Sequence, residues 1–328
     1  MDQPEPGPGD YANDGHLLDG LRRAVEFGAT LLDTSDSYGA GRAERMLERI
    51  LREYRNEGLI VSSKVGRIRG SAAHAYADRN IHRQFQQSRD NLYVDAVDIY
   101  TLDSWDFGPQ DRYLGGAIDQ LRTLQQLGDI KAVGLRGPYT HYGATPAERT
   151  ACAERFLYLF RLIKPDVVWT RFNALTPVVS LEGENLFDFT ARHGVGVILA
   201  APLAHGLLTG KALPAMPRPG PHVPDTGTRS LTPRALEAIA AGLQVLRDHF
   251  GEASGVLTRL ALRSCLQRAD HCATVVGFTH EAQVTENFCC LGPPLTSDEL
   301  ALVDEAYAQI RTGIEESTAR PGTRRAGV

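Results

Sequence analysis

The chain has 328 residues, 42% of them hydrophobic and 23% charged, with a formal net charge of −5. That is enough apolar material for a sizeable core, and the mildly acidic balance argues against nucleic acid or an anionic membrane surface as partner. No apolar run approaches the ~20 residues a membrane-spanning helix needs, and the opening MDQPEPGPGDYANDG is acidic and rich in Pro and Gly, the reverse of a signal peptide.

Cys152, Cys265, Cys272, Cys289 and Cys290 are odd in number and lack metal-ligand spacing, and the ten histidines are scattered. Neither a disulfide framework nor a metal site is expected. The default is a cytoplasmic enzyme with reduced thiols acting on a small molecule, its oligomeric state open.

In chain order, residues 1–15 read as a flexible lead, residues 16–312 as one domain and residues 313–328 as a disordered tail. Helix Leu17–Phe27 closes at Gly28, and the apolar pair Leu31-Leu32 ends at Asp33. An Arg/Glu-rich helix over Ala43–Tyr54 leads to a strand from Leu59 that ends at Lys64. Helix Asn80–Asn91 precedes strand Ala96–Leu102, which ends at Asp103. Helix Gly116–Leu127 and strand Lys131–Leu135 lead to Arg136-Gly137-Pro138. Then come helix Ala147–Ile163, strand Asp166–Phe172, helix Leu186–His193 and strand Val195–Ala200. APLAHGLLTGK opens a Pro/Gly-rich loop, Leu213–Thr232. Helices Pro233–Phe250 and Gly255–Gln267, strand Ala273–Gly277, and helices Glu281–Cys290 and Ser297–Ile310 close the pattern.

Strands alternating with helices at this pitch mean βαβ units and a parallel sheet. A doubly wound sheet would carry G-x-G-x-x-G after an early strand, and none is found. The expectation is therefore a (β/α)8 TIM-type barrel with extra C-terminal helices, incomplete in that seven strands are clear.

Barrel chemistry sits at strand C-termini. Asp33 and Lys64 end neighbouring strands, and Tyr38 follows in the turn Ser35-Asp36-Ser37-Tyr38-Gly39. Lysine occurs only at positions 64, 131, 164 and 211, so one at a strand end stands out. An ammonium near a tyrosine favours phenolate and suits it for general acid work, and a carboxylate keeps that ammonium charged. Spacing alone favours a rim tyrosine packed above a structural ion pair.

LLDTSDSYGAGRAERML is similar to the aldo-keto reductase block F-D-T-A-x-x-Y-G-x-G-x-[AS]-E-x-x-L, and VSSKVG to its I-x-T-K-x-G. VDIYTLD, GDIKAVGL, APLAHGLLTGK and VVGFTHEAQVTEN continue the resemblance from about Leu17 to Tyr307. It implies a (β/α)8 barrel that binds NADP(H) without a Rossmann fold and reduces carbonyls. Tyr38 would be the general acid, Lys64 the residue lowering its pKa, and Asp33 the partner of Lys64. Pro202, Leu203, His205, Lys211, Gly277, Thr279, Gln283, Glu286 and Asn287 fall on cofactor positions.

The departures cluster at the reacting end. The family's catalytic histidine is Asp103, its nicotinamide-binding G-V-S-N is Gly134-Leu135-Arg136-Gly137, its glutamine is Trp169, and its stacking aromatic is Ala200. No counterpart of the first strand precedes the first helix. Trp169 would then cover the nicotinamide, and a protonated Asp103 would replace the imidazole donor, as in relatives whose glutamate serves enone reduction. Arg136 and Trp105 are candidate substrate contacts, Arg136 being suited to a carboxylate or phosphate. Two alternatives stay open: a redox-silent dehydratase, isomerase or cyclase using Asp33, Tyr38, Lys64 and Asp103, and a non-catalytic binding subunit.

Overall fold

A computed structural model describes residues 14–142, 144–211 and 231–318. Seven parallel strands follow one another in the order β1 to β7, each pair linked by at least one helix. The strands are β1 (Leu31–Asp33), β2 (Ile60–Val65), β3 (Val97–Leu102), β4 (Ile130–Arg136), β5 (Val167–Arg171), β6 (Gly196–Ala200) and β7 (Cys272–Val275). The helices are α1 (Asp14–Glu26), α2 (Arg42–Glu53), α3 (Asp78–Leu92), α4 (Leu114–Gln126), α5 (Pro146–Ile163), α6 (Leu186–Arg192), α7 (Pro233–Phe250), α8 (Val256–Leu266), α9 (Glu281–Cys289) and α10 (Ser297–Thr318). The result is a nearly closed barrel ringed by helices, with no strand between β7 and β1 among the described residues.

Register decides what the barrel presents inward. Asp33 pairs with Ser62, Lys64 with Thr101, Arg136 with Trp169 and Arg171 with Ala200. Because side chains alternate across a strand, Ser62 and Lys64 share the inner face, while Ser63 turns outward to Glu44 on α2. Gly134 is required here, since a Cβ would lie 2.1 Å from the Thr101 hydroxyl on β3. Between the sheet and helices α2–α5 lies the largest apolar cluster, with Ile50, Phe85, Tyr100 and Phe156 fully buried. A smaller one, Trp169, Ile198 and Ala200 with Leu31, Ile99, Val167 and Val275, fills the barrel interior.

Two boundaries differ from expectation. Asp14 and Gly15 begin α1 instead of ending a lead, and residues 1–13 lie outside the described residues, as does most of the Leu213–Thr232 loop. The last helix runs to Thr318, past the expected start of the tail at residue 313. Its polar sequence hides an i, i+4 pair, Ile310 and Ile314, both buried against α7. The approach is close: a Cβ on Gly242 would meet Ile310 at 2.1 Å, and one on Gly313 would meet Ala238 at 2.7 Å. Two short 3₁₀ segments, Pro109–Asp111 and Ala204–Thr209, had no sequence signal strong enough to place them.

Ile314→Ala should lower the unfolding free energy in urea by about 2–5 kcal/mol, as for other buried aliphatic truncations. A loss under about 0.5 kcal/mol, typical of surface changes, would mean that the last turns of α10 are not part of the fold.

Candidate active site

Asp33, at the end of β1, is the hub of the barrel mouth. One of its oxygens accepts from Ser62 Oγ at 2.7 Å. The other accepts from Lys64 Nζ at 2.7 Å and from Trp169 Nε1 at 3.1 Å. Lys64 is fully buried and also donates to the Thr34 carbonyl at 2.6 Å. A buried ammonium without such partners would be costly, so these contacts fix where it sits. It lies 5.3 Å from the centre of the Tyr38 ring and 4.8 Å from that of Trp169.

Tyr38 follows β1 in a turn closed by its own N–H to the Ser35 carbonyl, and it is 43% exposed. The packed protein around it pushes the phenol above its ordinary value, Lys64 pulls it down, and Asp33 and Asp103 push it up. Solvent access on the open side limits the first effect. The hydroxyl keeps its proton at neutral pH, while Lys64 offers the charge that stabilises phenolate once that proton leaves.

Asp103, directly after β3, is buried at 5% exposure. Arg67 binds its Oδ2 through Nε at 2.8 Å and its main-chain oxygen through Nη2 at 2.8 Å. Arg136 Nη1 binds Oδ1 at 2.5 Å. Both carboxylate oxygens thus accept from guanidinium groups, so Asp103, expected to face the substrate oxygen, anchors two arginines. Trp105, expected against substrate, instead spends its indole N–H on the Arg136 carbonyl at 2.8 Å and packs toward Phe156. Arg136 stands over the Trp169 ring at 5.3 Å, and burial lowers its pKa. Trp169 therefore crosses the barrel from β5 to Asp33, 4% exposed.

The expected cofactor residues form a separate group at the seam. Lys211 pairs with Glu286, and Gln283 accepts from the Thr279 N–H at 2.7 Å. The first turn of α9 has no side-chain cap from His280, leaving N–H groups and a positive helix end for an anion. Pro202, Leu203 and His205 lie in the 3₁₀ segment and the turn before it, where Ala201, Ala204 and His205 hold left-handed backbone at φ 61°, 48° and 55°. Gly277 is exposed beside Thr279, and Glu286 and Asn287 are half-buried on α9.

Ser62, Arg67, Asp36 and Glu44 escaped the sequence reading. Only Glu44 carried a signal, as the Glu of the matched Tyr38 block. It is fully buried and accepts from Ser63 Oγ and Asn91 Nδ2, each at 2.8 Å. Asp36, 2% exposed, accepts from Ser35 Oγ at 3.1 Å, and its Oδ2 has no partner among the described residues. Burial pushes it up to about 7, with Glu44 and Asp103 adding to the push and Ser35 opposing it.

Between its ordinary value of 3.8 and about 7, folded Asp36 keeps a proton that the unfolded chain releases. Its contribution to stability is whole below pH 3.8 and fades as pH rises through 7. Asp36→Asn should therefore gain about 2–4 kcal/mol on the parent between pH 4 and pH 8 in urea unfolding. A difference between the two proteins that does not move with pH would show that Asp36 is ionised in the fold.

The model of the aldo/keto reductase family matches residues 6–308. The L-glyceraldehyde 3-phosphate reductase of Escherichia coli O157:H7 is 28% identical over 88% of this chain and 82% of its own. Among solved structures, the glycerol dehydrogenase of Gluconobacter oxydans superposes with TM-score 0.67 at 23% identity, covering 93% of this chain and 87% of that one. An aldo/keto reductase of Klebsiella pneumoniae in complex with NADP and acetate gives 0.59 at 19% identity, covering 90% and 86%. With a family model spanning nearly its whole length, this chain belongs to the aldo/keto reductase family, a family of oxidoreductases.

Proposed function

We propose that the chain is an NADP(H)-dependent reductase of a small carbonyl compound, a conjugated enone or keto-sugar type included, with Tyr38 as general acid. The observation that carries the reading is the Tyr38–Lys64–Asp33 arrangement, in which a fully buried ammonium is fixed by a carboxylate within 5.3 Å of a half-exposed phenol ring. The neighbours' names support the same class: one acts on a phosphorylated aldehyde and another was solved with NADP.

The residues present fit the cofactor unevenly. Lys211, Gln283, Glu286, Asn287 and the uncapped start of α9 would hold the adenosine and phosphates, beside Pro202, Leu203, His205, Gly277 and Thr279. At the nicotinamide end, Trp169 and Arg136 are donors only, and Trp169 has spent its N–H on Asp33. The amide's own N–H₂ would need a backbone carbonyl there. Bound in the mouth, NADPH supplies the hydride for the carbonyl carbon.

The chain's own part is positioning and proton delivery. Tyr38 gives its proton to the carbonyl oxygen, and the charge left on the phenolate faces the Lys64 ammonium. Asp33 keeps that ammonium in place, and Ser62 and Trp169 keep Asp33 from turning. Asp103 holds Arg136 toward the mouth, so a cation occupies the family's imidazole side of the site.

NADPH titrated into the purified protein should quench tryptophan fluorescence and bind more tightly than NADH by calorimetry. Tyr38→Phe should then cut kcat on a reducible aldehyde by about 10²–10⁴ while leaving the cofactor dissociation constant within about threefold. No cofactor binding at millimolar concentration would sink the reductase reading and favour the redox-silent alternative, with Trp169 occupying the nicotinamide space.

A further inference from the structure

We infer that the substrate taken at this mouth carries an anionic group, a carboxylate or a phosphate, held by Arg136 with Arg67 and Arg171. The inference rests on the reductase reading for the reaction but not for the binding.

Three arginines come from three different strand ends or the loops after them. Arg67 follows β2, Arg136 ends β4 and Arg171 ends β5. Arg171 lies two residues beyond Trp169 on one strand, hence on the same face. The charges of Arg171 and Arg67 both reach Arg136 and disfavour its protonated form, against the opposing pull of Asp103. Adding Lys64 gives four cations at the mouth. Asp33 answers Lys64, and Asp103 answers both Arg67 and Arg136. Glu44 is committed to Ser63 and Asn91 on the outer side of the sheet, and Asp36 keeps its proton up to about pH 7.

The Asp103 carboxylate lies between Arg67 and Arg136. Here one carboxylate is shared by two, and the more buried of them, with side-chain exposure of 16%, uses a single Nη on it. Arg136 has no other hydrogen bond through its guanidinium among the described residues, so Nε and Nη2 remain for a ligand. Its flat face rests on Trp169 and its backbone is held by Trp105, so the fork is preorganised, which suits it to planar, bidentate capture of carboxylate or phosphate oxygens.

The two tryptophans of the chain, Trp105 and Trp169, both touch Arg136, so fluorescence reports occupancy without turnover. Succinate and inorganic phosphate should each give a saturable change in the cofactor-free protein. The change should be lost in Arg136→Met, weakened in Arg171→Met, and partly kept in Arg136→Lys, which retains charge without the fork. With NADPH, succinic semialdehyde should outrun butanal and glyceraldehyde 3-phosphate should outrun glyceraldehyde by about 10–100-fold in kcat/KM, the value of one or two charge-assisted hydrogen bonds. Whichever pair shows the larger ratio names the anion. Arg171→Met should shrink that ratio, which a merely structural arginine would leave in place. Equal turnover of charged and neutral carbonyls, with no saturable anion signal, would overturn the inference and leave the reductase standing. Anion binding in a protein that ignores NADPH would do the reverse.

Discussion

The site depends on one unfavourable act made tolerable: the complete burial of the Lys64 ammonium. Taking such a charge out of water costs several kcal/mol, and removing the partner of a buried pair typically costs about 3–5 kcal/mol. Asp33 and the Thr34 carbonyl meet that need, and in doing so they dictate the rest. Asp33 must stay correctly turned, which Ser62 and Trp169 secure from opposite sides of the barrel. Tyr38 then sits beside a charge that cannot move away. Its pKa is a contest between the surrounding protein and that ammonium, and the useful feature is that the ammonium is rigid while the phenol faces solvent.

A second constraint reshapes the opposite side of the mouth. Where relatives place an imidazole, this chain has a carboxylate, and a carboxylate alone would repel developing negative charge on a substrate oxygen. Arg67 and Arg136 reverse the sign of that corner by clasping Asp103 between them. The substitution of Asp103 is thus intelligible only together with Arg136, which replaces a small serine in the family pattern. Two departures that look like separate losses in the sequence form one ion-paired unit in the fold.

How much of this was legible follows from the range of the interactions. Strand ends at Asp33, Lys64 and Asp103 were readable because apolar runs stop abruptly at charged residues, and the neighbouring blocks identified the family. The Lys64–Asp33 pair was readable for the same reason, since adjacent parallel strands end side by side. The bond from Trp169 to Asp33 joins residues 136 positions apart across the barrel, and no local pattern announces it. Arg67 and Arg171 were invisible because a loop or strand-end arginine in an arginine-rich chain looks solvated until register brings it near others. The tail was misjudged for the opposite reason. RTGIEEST is locally polar, and only the glycine-mediated approach of α7 turns Ile310 and Ile314 into core.

The closure of the barrel joins these observations. Among the described residues β1 is hydrogen-bonded only to β2, and β7 only to β6, so the sheet has a seam where an eighth strand would lie. Two unpaired edges inside one domain are a liability unless something holds them together. On the outside, α1 and α9 do so directly: Phe27 stacks on Phe288 at 5.1 Å, Arg23 reaches Glu281 at 3.6 Å, and Gly20 is bare because Phe278 would collide with any Cβ there. On the inside, a seven-strand ring has less room and one fewer strand to supply side chains. Trp169 takes up that room, in one interior cluster with Leu31 and Val275 of the two seam strands. On this reading the glutamine-to-tryptophan exchange serves closure as well as chemistry. The residue that stitches the seam from within is also the one that fixes Asp33 and supports Arg136, so fold and site share a single side chain.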